Sequence, residues 1–183
     1  MNIRIPSLVL LALAVPCLAS ATDYNVQPGS TLGFTSSFQG SSFDGHFNKW
    51  NAAISYDATK LAASKFDVTV DLASVKTGDS DRDSALPGPD FFDVSKYPQA
   101  HFVTTAFHQQ GSQVVADGML TLRGVSKPVS LTVTFKPQGS GATLDVTGTV
   151  KRMDFGVGSG QYADTSVIGP DVKVTAHLVL GAK

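Results

Sequence analysis

Phe66-Asp67-Val68-Thr69-Val70-Asp71-Leu72 alternates apolar and polar side chains without a break. Successive side chains on a strand point to opposite faces, so this run has one dry face and one wet face. The pattern returns at Val129, Leu131, Val133 and Phe135, set against Ser130, Thr132 and Thr134. It returns again at Val172, Val174, Ala176, Leu178 and Leu180, set against Asp171, Lys173, Thr175 and His177. Weaker versions cover Thr31 to Phe38, Trp50 to Tyr56, Ala100 to His108, Gln113 to Leu122 and Ala142 to Val150. Turn residues separate most of them: Asp57, Gln110-Gly111-Ser112, Arg123-Gly124 and Pro137 to Gly141. Together these runs predict an all-β domain of about eight antiparallel strands, at the spacing of a barrel or sandwich. No internal repeat or interdomain linker interrupts them, which predicts one domain.

Composition agrees with this class. Of 183 residues, 42% are hydrophobic and 16% charged, which excludes a disordered chain. All 15 acidic residues are Asp and none is Glu, and Asp favours turns and caps over helix interiors. The 14 Lys and Arg are spread along a chain of net charge −1, leaving no basic patch for nucleic acid. Residues 1–21 have the form of a signal peptide. Arg4 supplies the positive start, Leu8 to Val15 the apolar stretch and Ala19-Ser20-Ala21 the small-residue cleavage pattern. Cleavage after Ala21 is expected, leaving residues 22–183 as the barrel domain of a periplasmic protein. The apolar run is about half the roughly 20 residues of a membrane span, and Pro6 and Pro16 bracket it. Cys17 follows Pro16, where a lipidation signal wants a small residue. Its loss with the leader leaves a mature chain free of thiols, suited to an oxidising compartment.

One stretch breaks the alternation. Thr77 to Pro98 holds five Asp residues, Pro87 and Pro89, and the pair Phe91-Phe92. Asp79 and Asp90 are expected to cap two short helical turns, Ser80 to Leu86 and Phe91 to Lys96. A polar segment carrying two adjacent aromatics is suited to covering a barrel mouth. Asp79, Asp81, Asp83 and Asp90 fall at four positions of a calcium-loop pattern, but Ser84 stands where that pattern needs Gly and Arg82 puts a cation inside it. Capping and ion pairing are the preferred roles for these carboxylates. His101 and His108 are seven apart on one run, which places them on opposite faces, while His46 sits in a turn region and His177 on a polar face. No close-spaced ligand set results, and no metal is expected. Gly156-Val157-Gly158-Ser159-Gly160 is glycine-rich, but no helix-forming run follows it as a phosphate loop requires. No nucleophile elbow or cofactor motif is present in the sequence, so no catalytic residue and no cofactor is assigned.

The dry faces are rich in large side chains: Phe34, Phe38, Trp50, Ile54, Phe66, Phe102, Leu120 and Leu122. An eight-stranded barrel either fills its interior with side chains or holds one small ligand, and periodicity is compatible with both.

The sequence resembles the YceI-like family of exported, lipocalin-like, polyisoprenoid-binding proteins. The resemblance rests on Val70 to Gly78 leading to Arg82-Asp83, and on Asp90-Phe91-Phe92-Asp93 with Lys96-Tyr97-Pro98-Gln99-Ala100 and Phe102. It continues through Gly118 to Val129, and ends with Arg152, Asp154-Phe155-Gly156, Ile168-Gly169 and Val172. Many members carry a His shortly after the first strand's Phe, where this chain has Ser36-Ser37-Phe38-Gln39-Gly40. The resemblance implies an antiparallel lipocalin-like β-barrel with a short helical segment and an interior tunnel for a long isoprenoid lipid or quinone. It makes the eight side chains above ligand-binding, with Phe92 near the mouth. Carriage or storage of that lipid without catalysis is the leading expectation. An enzyme or stress-response factor acting on a lipid-soluble substrate, with Asp or His at the mouth and Asp79 or Asp83 as the carboxylates to test, is the alternative. Transient membrane contact and a homodimer are further expectations.

Overall fold

A computed structural model describes residues 21–183. The expected leader lies, apart from Ala21, outside the described residues, and Cys17 lies there with it. The strands are β1 (Thr22–Val26), β2 (Thr31–Phe38), β3 (Ser41–Phe47), β4 (Trp50–Tyr56), β5 (Lys65–Asp71) and β6 (Val75–Lys76). They continue as β7 (Gln99–Gln110), β8 (Gln113–Leu122), β9 (Val125–Gln138), β10 (Gly141–Lys151) and β11 (Asp171–Ala182). Among the described residues the one α-helix, α1, spans Ser80–Ala85.

Every pairing is antiparallel and follows chain order, and β11 closes the ring. Lys173 to His177 of β11 pair with β2, and Leu180 to Ala182 pair with β1. β1 and β2 therefore form one interrupted stave, as do β3 with β4 and β5 with β6. With β7 to β11 these make a closed eight-stave up-and-down barrel with no long free edge. The interruptions have local causes. Pro28 lacks an N–H and Gly29 takes φ 94° between β1 and β2. After β5 the Asp71 carboxylate accepts from the Ala73 N–H and turns Leu72–Ser74 into a 3-10 turn. Between β2 and β3, Gln39 and Gly40 both adopt positive φ, the conformation of the tightest hairpin turn.

Four expectations need correction. β3 replaces the turn expected around His46, because its inward positions are Phe43, Gly45 and Phe47 and the glycine hides the alternation. His101 and His108 share the outer face, because the register of β7 shifts between Thr104 and Ala106 and resets the two-residue period. Phe91 to Lys96 is a chain of turns and not a helical turn. The Phe91 to Val94 amides reach back to Leu86, Pro87 and Gly88, the Lys96 and Tyr97 amides turn back on Asp93, and Asp93 takes positive φ. Asp90 therefore caps no helix. Asp79 does cap α1, accepting from the Asp81 and Arg82 amides at 3.1 and 2.9 Å, and Pro87 follows the helix end.

Two apolar clusters fill the two ends of the barrel. At the end holding Thr22 and Ala182, Ile54, Tyr56, Phe66, Phe107, Ala116, Val133, Leu144, Leu178 and Leu180 are buried together. Their rings interlock. Phe66 meets Phe107 edge-on at 4.8 Å between centroids, Tyr56 lies 4.6 Å from Phe135, and Tyr24 lies 5.7 Å from Phe135. At the opposite end Leu72, Val75, Phe92, Ala100, Val150, Phe155 and Val157 make a second cluster under the long connections.

Candidate functional site

Between these clusters the barrel is hollow, with a cavity of about 610 Å³. The strands record this along their own length. Ile54, Phe66, Leu144 and Leu178 are 4% exposed or less, and they form the floor. Further up the same staves the inward residues Trp50, Val68, Val70, Val146, Val174 and Ala176 are only half-buried, although they too face the axis. Their free surface is the wall of the cavity.

The space exists because small residues face inward opposite large ones. Phe34 pairs directly with Gly45, and its ring lies over the glycine; a Cβ there would overlap the ring, with Cε2 only 2.9 Å away. The Phe102 ring covers Gly118 in the same way, with Cε2 2.6 Å from the position of a Cβ. Leu131 covers Gly148. Flat against the wall, these side chains leave the axis open. Ala52 and Ala176 widen it further.

All nine side chains singled out in the sequence border this cavity. Ile54 and Phe66 form part of the floor, and Phe34, Trp50, Phe102, Leu120 and Leu122 stand in the wall. Phe92 is buried behind Phe47, with centroids 6.2 Å apart, and Phe38 is 42% exposed at the rim. Sequence reasoning missed the glycines that make room, and the only signal for them was Gly on the dry side of an alternating run.

The upper end is roofed by the β2–β3 hairpin, by residues 77–98 and by the connection 152–170. α1 and its capping residue contribute Asp79, Asp81 and Arg82 to the rim, and the Arg82 guanidinium carbon lies 4.4 Å from the centre of the Phe43 ring. Phe91 packs on Tyr162 at 4.9 Å between centroids, joining the two roof segments. Two arginines fasten them from beneath. Arg123 donates to the carbonyls of Pro89, Asp90, Phe91 and Gly156. Arg152, buried at 3% exposure, donates to Gly169, Val157, Gly158, Tyr162 and Ile168 carbonyls, and no carboxylate among the described residues pairs with it. Burial lowers the pKa of its guanidinium, and the five carbonyl dipoles hold it in place.

The carboxylates of the expected chemistry are occupied. Asp79 caps α1, and Asp83 accepts from the Thr77 amide at 2.7 Å and the Thr77 hydroxyl at 2.8 Å. The Thr77 hydroxyl is the main reason the Asp83 carboxyl titrates below its ordinary value, with the Lys76 ammonium 3.4 Å away assisting. The histidines lie outside the lumen. His101 pairs with Asp67 at 2.7 Å, His108 with Asp117 at 3.2 Å and His177 with Asp145 at 2.6 Å, all on the outer face. Among the described residues no three potential ligands gather in a metal-binding group.

A closed antiparallel barrel enclosing a blind apolar cavity defines a lipocalin-like barrel. The family model described as YceI-like domain matches residues 24–180, and the chain belongs to that family. A UPF0312 protein of Pseudomonas savastanoi pv. phaseolicola is 37% identical, with the match covering 87% of this chain and 91% of that one. The crystal structure of Burkholderia cenocepacia BcnA superposes with a TM-score of 0.81 at 32% identity, covering 85% of this chain and 99% of its own. A polyisoprenoid binding domain from Saccharophagus degradans shares the fold, with a TM-score of 0.67 at 18% identity over 90% of this chain and 100% of its own.

Proposed function

We propose that the protein binds a long-chain isoprenoid lipid, a polyisoprenoid or a quinone, and carries or stores it in the periplasm without chemical change. The observation that carries this reading is the blind cavity of about 610 Å³, apolar from its floor to a rim where Asp79, Asp81 and Arg82 stand. Each buried CH₂ is worth about 0.8 kcal/mol, so a five-carbon unit contributes roughly 3 to 4 kcal/mol before association costs. Several units give useful affinity with no charged contact. The fold shared with a polyisoprenoid binding domain supports the ligand class. The Arg4, apolar-run and Ala19-Ser20-Ala21 pattern supports export, and transient contact with a membrane is how such a lipid would enter and leave. Absence of catalysis is supported by the engagement of Asp79 and Asp83 in capping and turn bonds.

Native mass spectrometry of the protein purified from its own cell envelope tests the proposal. A bound species with the mass of an isoprenoid lipid is expected. A uniformly ligand-free protein that also fails to take up added prenol or quinone refutes it.

A further inference from the structure

We infer that the floor of the cavity is a ruler: Phe66, backed by the aromatic stack beneath it, sets the longest isoprenoid chain the barrel admits. The inference rests on the proposed function and adds a chain-length limit to it. The cavity reaches Ile54, Phe66, Leu144 and Leu178 but not Tyr56, Phe107 or Phe135, one layer lower. Tyr56 packs on both Phe107 and Phe135, and Phe66 packs on Tyr56 and Phe107, so the lumen ends at a wall of rings and does not open at the terminal end. From Leu178 at the floor to Val172 near the roof is six residues of one strand, roughly 20 Å of path at about 3.3 Å per residue.

The polar groups sit only at the other end. Asp79, Asp81 and Arg82 stand at the rim with Ser36, Arg152 and Tyr162 near them, while the floor residues Ile54, Phe66, Leu144 and Leu178 are apolar, and Thr104 beside them lies outside the cavity and accepts from the Phe66 amide at 2.9 Å. A chain with a polar head therefore enters tail first, and its tail stops against Phe66. Each further unit inside the lumen gains apolar burial until the floor is met, and units beyond that stay outside and gain none. Affinity along a homologous series should thus rise by roughly a hundredfold to a thousandfold per five-carbon unit and then flatten at one length. Phe66→Ala joins the volume of that ring to the cavity and opens it toward Phe107. Ala176→Phe plugs the lumen between the floor and Val174.

The test is competition by a series of prenols, from geraniol through farnesol and geranylgeraniol to solanesol, against a fluorescent lipid probe on the delipidated full-length mature protein. The wild type is expected to show a plateau at one chain length, Phe66→Ala a plateau about one unit longer, and Ala176→Phe a plateau at least one unit shorter. Where Phe66→Ala does not fold, the Ala176→Phe shift decides alone. A plateau that stays at the wild-type length in the folded variants, or a wild-type affinity that never flattens, overturns the ruler while leaving lipid binding intact. A wild type that takes up none of the series overturns the proposed function, and the ruler with it.

Discussion

Gly45→Ala isolates the feature that makes the barrel hollow. The new methyl would fall inside the Phe34 ring, which has β3 on one side and Phe43 and Phe47 at 6.4 and 5.7 Å on others. The ring has one free direction, inward across the lumen. Overpacking of this kind costs about 1 to 3 kcal/mol. The displaced ring would also occupy the space that the proposed ligand needs. Removing the ring should relieve both effects, so Phe34→Ala with Gly45→Ala forms a double-mutant cycle with a coupling energy of about 1 to 2 kcal/mol. Urea unfolding of the wild type, the two single variants and the double variant gives the energies, and uptake of a fluorescent lipid probe by the same four proteins reads the lumen. Gly45→Ala is expected to lose most uptake and the double variant to regain it. Additive stabilities, with uptake in Gly45→Ala equal to wild type, would show that Phe34 does not lie against Gly45 and that the reasoning is wrong.

Three further outcomes follow from the geometry. Arg152→Met orphans five carbonyls of the 157–169 connection, some of which water can reach, and should cost about 3 kcal/mol in urea unfolding while amide exchange in that segment accelerates; a loss under about 0.5 kcal/mol contradicts the role given to this arginine. The Asp83 carboxyl titrates below its unfolded value, so its stabilisation is complete above the ordinary carboxylate pKa and fades as pH falls through the lowered folded one. Stability curves of wild type and Asp83→Asn should therefore run apart at neutral pH and converge below about pH 4, and a gap that persists in acid contradicts the sign. Trp50→Ala removes a half-buried wall residue; lipid-probe affinity should fall about tenfold while the unfolding midpoint moves little, and an unchanged affinity removes Trp50 from the wall of the binding site.

The strands that announce themselves by alternation, such as β5 from Phe66 and β11 to Leu180, are legible because one face is dry and the other wet. β3 is not, since Gly45 carries no side chain to mark its inward position. The β7 irregularity near Thr105 is equally silent, because a single added residue leaves composition unchanged and only moves His108 to the face of His101. The large lumen side chains could be named from the sequence, yet solid and hollow barrels share them. What separates the two is the placement of Gly45 and Gly148 opposite Phe34 and Leu131, and of Gly118 diagonally across from Phe102, cross-strand relations that need the register. Roof construction is hidden for a related reason: Arg123 and Arg152 act through backbone carbonyls, which any residue supplies.

The most direct test of a hollow, lipid-holding barrel is a high-resolution crystal structure of the protein purified from its own cell envelope. Continuous elongated density running from Arg82 down to Phe66, with Phe34 and Phe102 flat against Gly45 and Gly118, is the predicted result. Rings of Phe34, Trp50 and Phe102 packed across the axis, with no lumen left between them, would contradict it.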